Sequence, residues 1–144
     1  MISKCLRAAA LVCVLFLAGA GAPGVAQDPA NATPDRVVYH INDSEAQAIR
    51  AMQYISNHLE VNPKAQIVVV THAGGVDFLV RGAKTRNGNP YSDSIEELLL
   101  RGVRFDVCEI TLRERQMTRK QFIGEVKFVP SGVAEIARLQ QREG

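Results

Sequence analysis

The sequence predicts an α/β domain in which helices cover both faces of a mostly parallel sheet of four or five strands. Apolar runs typical of strands alternate with segments whose apolar residues recur every three or four positions, in the order β-α-β-α-β-α-β-α. The run over residues 65–70 is apolar almost throughout, which is typical of a strand covered on both faces. Helical connections between strands are what parallel pairing requires.

The first 26 residues have the features of a secretory signal peptide. Lys4 and Arg7 precede an apolar run over residues 8–20, and small residues end at Ala26. The apolar run is too short to span a bilayer. We therefore expect cleavage after Ala26, export to the bacterial periplasm and no membrane attachment of the mature chain. Retention as an uncleaved N-terminal anchor is the alternative.

The mature chain is predicted to be one domain of balanced charge. Residues 27–35 contain two prolines and few apolar side chains, so they form a predicted flexible leader to a domain over residues 36–144. The whole chain has 17 basic and 15 acidic residues, and loss of Lys4 and Arg7 with the signal leaves 15 of each. This balance argues against nucleic-acid and anionic membrane partners.

The first half of the domain reads as strand, helix, strand and short helix. A β-branched and aromatic strand over 37–41 ends at turn-forming residues 42–44. The following helix ends at Asn62-Pro63, and its spacing places four apolar residues on one face: Ile49, Met52, Ile55 and Leu59. After the buried strand, residues 71–75 leave the strand end and lead to a short helix over 76–80.

A long loop and a third helix follow. Residues 81–91 contain several Gly and Asn residues and could form a lid or a subunit contact. Ser92 and Asp93 begin the helix, residues 98–100 supply its buried side, and Gly102 ends it.

The last part of the domain begins with a strand over 103–108. Its alternation places Arg104, Asp106 and Cys108 on one face. Capping boxes that start at Thr111 and Thr118 predict one or two short helical turns. A fourth strand over 126–129 and a helix opened by residues 130–132 complete the predicted order.

Polar or reactive groups follow three of the predicted strands. Asn42 follows the first strand, His72 with Gly74 and Gly75 the second, and Cys108 ends the third. In open parallel sheets, ligands lie beyond the carboxyl ends of the strands, near the point where the strand order reverses. We therefore expect these groups to meet at one edge of the sheet.

Cys108 is the single cysteine of the predicted mature chain, because the other two lie in the signal peptide. A lone thiol cannot form an internal disulfide, so it is either a buried small hydrophobe or a reactive centre. A helix start at Thr111, with Arg113, would favour the thiolate, whereas Asp106 and Glu109 would oppose it. The sequence leaves the direction of the thiol pKa shift open.

His72 could orient an anion or exchange a proton with a thiol, or it could be hydrogen-bonded to loop backbone. His40 and His58 are interpreted as ordinary strand and helix residues. One mature cysteine and three dispersed histidines do not form a recognisable ligand set, so we expect no metal. No nucleotide-binding pattern occurs, and we expect no organic cofactor.

Four segments of the domain, in this order, resemble the DsrE/DsrF-like family of small sulfur-relay proteins, in particular its exported single-domain branch. They are residues 37–43, 67–75, 102–108 with Thr111-Leu112, and 129–133. The resemblance implies a flavodoxin-like three-layer domain that assembles into homotrimers or larger rings. It also implies that a cysteine at the position of Cys108 accepts sulfur as a persulfide and passes it on.

The leading hypothesis is an exported sulfur carrier, with sulfurtransferase activity left open, that holds sulfane sulfur on Cys108. Here His72 and Asn42 position the outer sulfur, the helix start at Thr111 stabilises negative charge, and the partners are a sulfur donor and a sulfur acceptor. The alternative is a non-catalytic module for small-anion binding or oligomeric assembly, with a crevice near His72 and Gly74 and with Cys108 buried. A third hypothesis is a redox partner that forms mixed disulfides through Cys108.

Overall fold

The computed structural model describes residues 34–142. The predicted signal peptide and residues 27–33 of the predicted leader lie outside this range. In the described part, no helix is both long enough and apolar enough to cross a membrane.

The four strands form one parallel sheet, which confirms the α/β prediction. They are β1 (Arg36–Asp43), β2 (Gln66–Gly74), β3 (Arg104–Cys108) and β4 (Lys127–Val129). The helices are α1 (Ile49–Val61), α2 (Ser92–Leu100), α3 (Glu109–Glu114) and α4 (Gly132–Arg142). Short helical turns at Ser44–Ala48, Asp77–Leu79 and Arg119–Gln121 complete the order.

The strands lie side by side in chain order, β1-β2-β3-β4, so the expected reversal of strand order is absent from the described sheet. Right-handed crossovers that step in one direction place their connecting helices on one face of a sheet. The helix α4 follows the last strand and packs across β1, β2 and β3 on the other face. The result is three layers, with α4 alone among the four helices on its side.

The larger core lies between the sheet and the layer of α1 and α2. Phe105 of β3 is fully buried there, and its ring meets Phe78 edge-on at a centroid distance of 6.2 Å. Ile55 of α1 and Ile95 of α2 belong to the same cluster. Because the odd-numbered residues of β3 face this core, its even-numbered residues, including Cys108, face α4.

Two predicted buried residues are exposed. Ile49 is 53% exposed, because the buried stripe of α1 continues backwards through Ala48, which is fully buried, and leaves Ile49 at its margin. Leu100 is 90% exposed, because it lies two residues, or about 200° of helical rotation, beyond the buried Leu98.

The strand β2 is longer than predicted. It continues from Val70 to Gly74, so His72 lies inside the strand rather than in the loop after it. Pairing of this extension with β1 passes through an irregularity between Ile41 and Asp43. Because Thr71 pairs with Val107, the next residue, His72, lies on the same face of the sheet as Cys108.

Candidate functional site

The candidate site lies where β2, β3 and α4 meet. Thr71 pairs with Val107 in the parallel register, so the next residues along the two strands, His72 and Cys108, are neighbours. A Cβ atom added to Gly132, the first residue of α4, would lie 3.2 Å from the Cβ of Cys108 and 3.4 Å from that of His72. This close approach places the start of α4 directly against the thiol.

Cys108 is buried, with 4% of its surface exposed, and occupies the N-cap position of α3. Burial by itself raises the pKa of the thiol, but four hydrogen bonds to the sulfur outweigh it, and the net pKa lies below the ordinary value. The donors are the backbone N–H groups of Gly132, Thr111 and Ile110 and the hydroxyl of Thr111. The pKa of the thiol, whose direction of shift the sequence left open, is therefore lowered, which favours the thiolate.

Thr111 acts differently from the prediction. It is the third residue of α3, which begins at Glu109, and therefore it is not a helix cap. Its buried side-chain oxygen accepts a hydrogen bond of 2.9 Å from the backbone N–H of Ala73 and leaves its own proton for the sulfur of Cys108. Thr111 thus ties the end of β2 to the thiol.

The backbone at Ala73 is held in the left-handed region, with a φ of +50°. Its N–H is bound by Thr111, and its carbonyl accepts a hydrogen bond of 2.9 Å from Arg115, which also pairs with Asp77 at 2.8 Å. A non-glycine residue rarely adopts this conformation without such fixed partners. The strand end beside the thiol is therefore held by α3 and the residue that follows it.

His72 has a partner that the sequence analysis missed. Its Nε2 lies 2.6 Å from Nε2 of His40 on β1, and the two rings stack at a centroid distance of 4.6 Å. Partial desolvation of its ring and the charge of His72 lower the pKa of His40. His40 is a strand residue of β1, as expected, and its contact with His72 was not predicted. The alternation of side chains along β1 could have indicated its position, because it places His40 on the same face of the sheet as Cys108.

Asn42, Gly74 and Gly75 also lie at this edge, where their visible roles are in chain packing. Asn42 is exposed, and its backbone N–H donates to the side chain of Gln47 at 2.9 Å. The carbonyl of Gly74 accepts a 2.7 Å hydrogen bond from Ser44. A Cβ atom on Gly75 would lie 2.1 Å from the carbonyl oxygen of Ile41, so only glycine allows this approach.

The two carboxylates expected to oppose the thiolate are both ion-paired. Asp106 is fully buried and accepts two hydrogen bonds of 3.0 Å from Arg104. Glu109, next to Cys108, pairs with Arg119. Their negative charges are therefore partly offset at the sulfur. Within residues 34–142, no group of three or more His, Cys, Asp or Glu side chains could hold a metal ion.

The comparison with sequence models of protein families identifies the family of the chain. The sequence model of the DsrE/DsrF-like family matches residues 35–144. A solved structure of protein MTH1491 from Methanobacterium thermoautotrophicum, described as of unknown function, is 32% identical with a TM-score of 0.67. The match covers 76% of this chain and 94% of that chain.

The ychN protein of E. coli shares the fold. It is 15% identical with a TM-score of 0.64, and again 76% of this chain and 94% of that chain are covered. The search of curated proteins gives no match. The four-stranded parallel sheet and its flanking helices thus agree with the flavodoxin-like architecture of these neighbours.

Proposed function

The chain belongs to the DsrE/DsrF-like family, which is associated with sulfur relay, and from this premise we propose that it carries sulfane sulfur as a persulfide on Cys108. The observation that carries the proposal is the set of four hydrogen bonds on the Cys108 sulfur. They lower the thiol pKa although the group is buried. A thiolate is the form of cysteine that reacts as a nucleophile.

The proposed chemistry is two successive exchange steps. In the first, the Cys108 thiolate attacks the outer sulfur of a donor persulfide or polysulfide. One S–S bond forms, the donor S–S bond breaks, and the electron pair leaves on the donor thiolate. In the second, an acceptor thiolate attacks the outer sulfur and Cys108 leaves as a thiolate. No net oxidation or reduction occurs, so neither step needs a cofactor.

The surroundings of Cys108 suit a small cargo. Because only 4% of the residue is exposed, the proposed cargo is a terminal sulfur atom rather than a bulky group. His72 and the exposed Asn42 are the proposed contacts of the outer sulfur. Ile110, whose backbone N–H donates to Cys108, and Val133, which follows Gly132, are exposed apolar residues. We assign both to the rim that a sulfur donor or acceptor crosses.

Export and assembly belong to the same proposal. Residues 1–26 support export to the bacterial periplasm. The family resemblance supports a homotrimer or a multiple of it. Size-exclusion chromatography with light scattering on the mature protein tests the assembly, and N-terminal sequencing of the secreted product tests the cleavage site.

Intact-mass measurement tests the sulfur carrier. The mature protein is expected to gain about one sulfur atom after polysulfide treatment and to lose it on reduction. Cys108→Ser is the matched control and should gain none. If the wild-type protein gains no mass, or if Cys108→Ser gains as much, Cys108 is not the carrier.

The burial of Cys108 favours a second candidate, a non-catalytic binding or assembly module. In that case the thiol is a packed side chain, as free cysteine often is. Alkylation of the native protein separates the two functions. A carrier reacts before unfolding, whereas a packed cysteine reacts only after denaturation and shows no gain of sulfur.

A further inference from the structure

A partly buried ion cluster joins α4 to β3 beside the thiol. Arg104 donates two hydrogen bonds of 3.0 Å to Asp106 and a third, of 3.2 Å, to Glu135 of α4. Glu135 also accepts two hydrogen bonds from Arg138, at 2.8 and 2.7 Å. One guanidinium thus bridges two carboxylates that lie on different elements.

Both bridged carboxylates are removed from water. Asp106 is fully buried, and Glu135 is 9% exposed. The side chains of Arg104 and Arg138 are 35% and 34% exposed. Loss of either arginine would nevertheless leave a buried carboxylate with fewer donors, which is more costly than the loss of a surface ion pair. The cluster is therefore a stiff attachment between helix and sheet.

The attachment and the thiol lie on matching faces of β3 and α4. Arg104, Asp106 and Cys108 alternate along one side of β3. Glu135 lies three residues after Gly132, on the same side of α4. The helix therefore meets β3 at two successive points, the ion cluster and the contact between Gly132 and Cys108.

We propose that Arg104 and Glu135 are positioning residues that hold the first turn of α4 against Cys108, so that the Gly132 N–H donates to its sulfur. The inference deepens the proposed function, because it names what prepares the thiolate for sulfur exchange. The absence of a side chain at Gly132 and the rigidity of the cluster are both needed for this contact. A helix released at Glu135 loses the hydrogen bond to the sulfur.

Glu135→Gln tests the inference, because two explanations predict opposite results. If the carboxylate acted on Cys108 only through its charge, its removal would lower the pH at which the thiol ionises. If Glu135 positions α4, the loss of a hydrogen bond raises that pH by about one unit, and alkylation below the midpoint slows about tenfold. The readout is the alkylation rate of the mature wild-type and variant proteins as a function of pH.

The other charged or titratable residues near the thiol are the same in the wild-type and Glu135→Gln proteins. They are Asp106, Glu109, Arg119, His72 and Lys127, which pairs in register with Asp106. Glu45→Gln is the matched control, because Glu45 forms an exposed ion pair with Arg86 far along the chain from α4. That control should leave the alkylation profile unchanged.

Arg104→Lys decides the question if Glu135→Gln does not fold. Lysine keeps the positive charge near Asp106 but has no planar fork with which to bridge two carboxylates. The same upward shift of the alkylation midpoint is expected. An unchanged or lowered midpoint in a folded variant of either residue, checked by circular dichroism, overturns the positioning role.

The experiments can refute the positioning role of Glu135 and the sulfur-carrier function independently of each other. A wild-type protein that gains no sulfur, together with a midpoint that rises in Glu135→Gln, refutes the carrier and supports the positioning role. A wild-type protein that gains sulfur, together with an unmoved midpoint, refutes the positioning role alone. Rescue is a further readout, since Glu135→Asp keeps the charge and should recover part of the wild-type profile.

Discussion

The Nε2 atoms of His40 and His72 lie 2.6 Å apart on neighbouring strands, with their rings stacked at an interplanar angle of 28°. One imidazole must donate through Nε2 while the other accepts, so the pair is satisfied when at least one ring is neutral. Two positive rings at this distance would repel each other. The pair connects the half-buried His72, beside the thiol, to the exposed His40.

This pair predicts a loss of stability in mild acid. Partial desolvation of the His40 ring and the charge of His72 lower the pKa of His40, so between the folded-state pKa and the ordinary value near 6.5 the unfolded chain binds more protons. The free energy of unfolding should therefore fall as the pH drops through this window. Urea denaturation between pH 8 and pH 5 measures the fall.

His40→Gln should make that decrease smaller, because glutamine cannot take up the proton. The matched control is His58→Gln, which removes the histidine paired with Asp35 away from the site. Equal pH dependence in the wild-type and His40→Gln proteins would show that the histidine pair does not limit acid stability.

Thr111→Val should weaken the thiolate and the fold together. Valine has the same shape but cannot donate to the Cys108 sulfur or accept from the Ala73 N–H. We expect the midpoint of the alkylation profile to rise and the free energy of unfolding to fall by about 1–3 kcal/mol, because the Ala73 N–H loses its partner. Thr111→Ser retains the hydroxyl and should stay near the wild-type profile. If the alkylation profile of Thr111→Val matched that of the wild-type protein, the Thr111 hydroxyl would not contribute to the ionisation of the Cys108 thiol.

Gly75→Ala should be strongly destabilising. The added methyl would meet the Ile41 carbonyl carbon and oxygen at 2.5 and 2.1 Å, so the backbone of β1 would have to move. We expect a loss of about 3 kcal/mol or more in the free energy of unfolding. Gly124→Ala is the control, because a Cβ at Gly124 meets nothing within 4 Å, and it should change stability by less than about 0.5 kcal/mol. Chemical denaturation of both variants compares them.

Leu98→Ala and Leu100→Ala should differ although the residues are two positions apart. Leu98 is 2% exposed, and its truncation should cost about 2–5 kcal/mol through lost burial and the cavity left behind. Leu100 is 90% exposed, so its truncation should cost less than about 0.5 kcal/mol. Thermal or urea unfolding measures both values. A large loss in Leu100→Ala would mean that another surface covers this residue in solution.

Most secondary structure could be predicted from local patterns. The apolar run before Thr71 predicted β2, and the spacing of Met52, Ile55 and Leu59 predicted the buried side of α1. The wrong predictions of burial concern residues at the margin of an apolar helix stripe. Ile49 and Leu100 fitted an apolar stripe, but the centre of each stripe depends on how the helix is rotated against the sheet. That rotation is set by packing rather than by periodicity.

The candidate site was less predictable than the fold. The sequence placed Cys108 at a strand end, but two groups near it lie far away along the chain. Gly132 is 24 residues later than Cys108, and His40 reaches the site through His72, 32 residues away. Local patterns report on neighbours within a few positions, so they can assign His40 to a face of the sheet but cannot show which residue of another segment it contacts.

By itself the sequence determined the alternation of strands and helices, the position of Cys108 at the end of β3 and the resemblance to a sulfur-relay family, because these features depend on local periodicity and motifs. Only the tertiary structure decided the strand order, the stacked pair of His40 and His72, and the approach of α4 to Cys108. It also decided the direction of the thiol pKa shift. That direction is a balance between burial and four hydrogen bonds, one of them from Gly132, 24 residues away along the chain, and this balance exists only after the chain has folded.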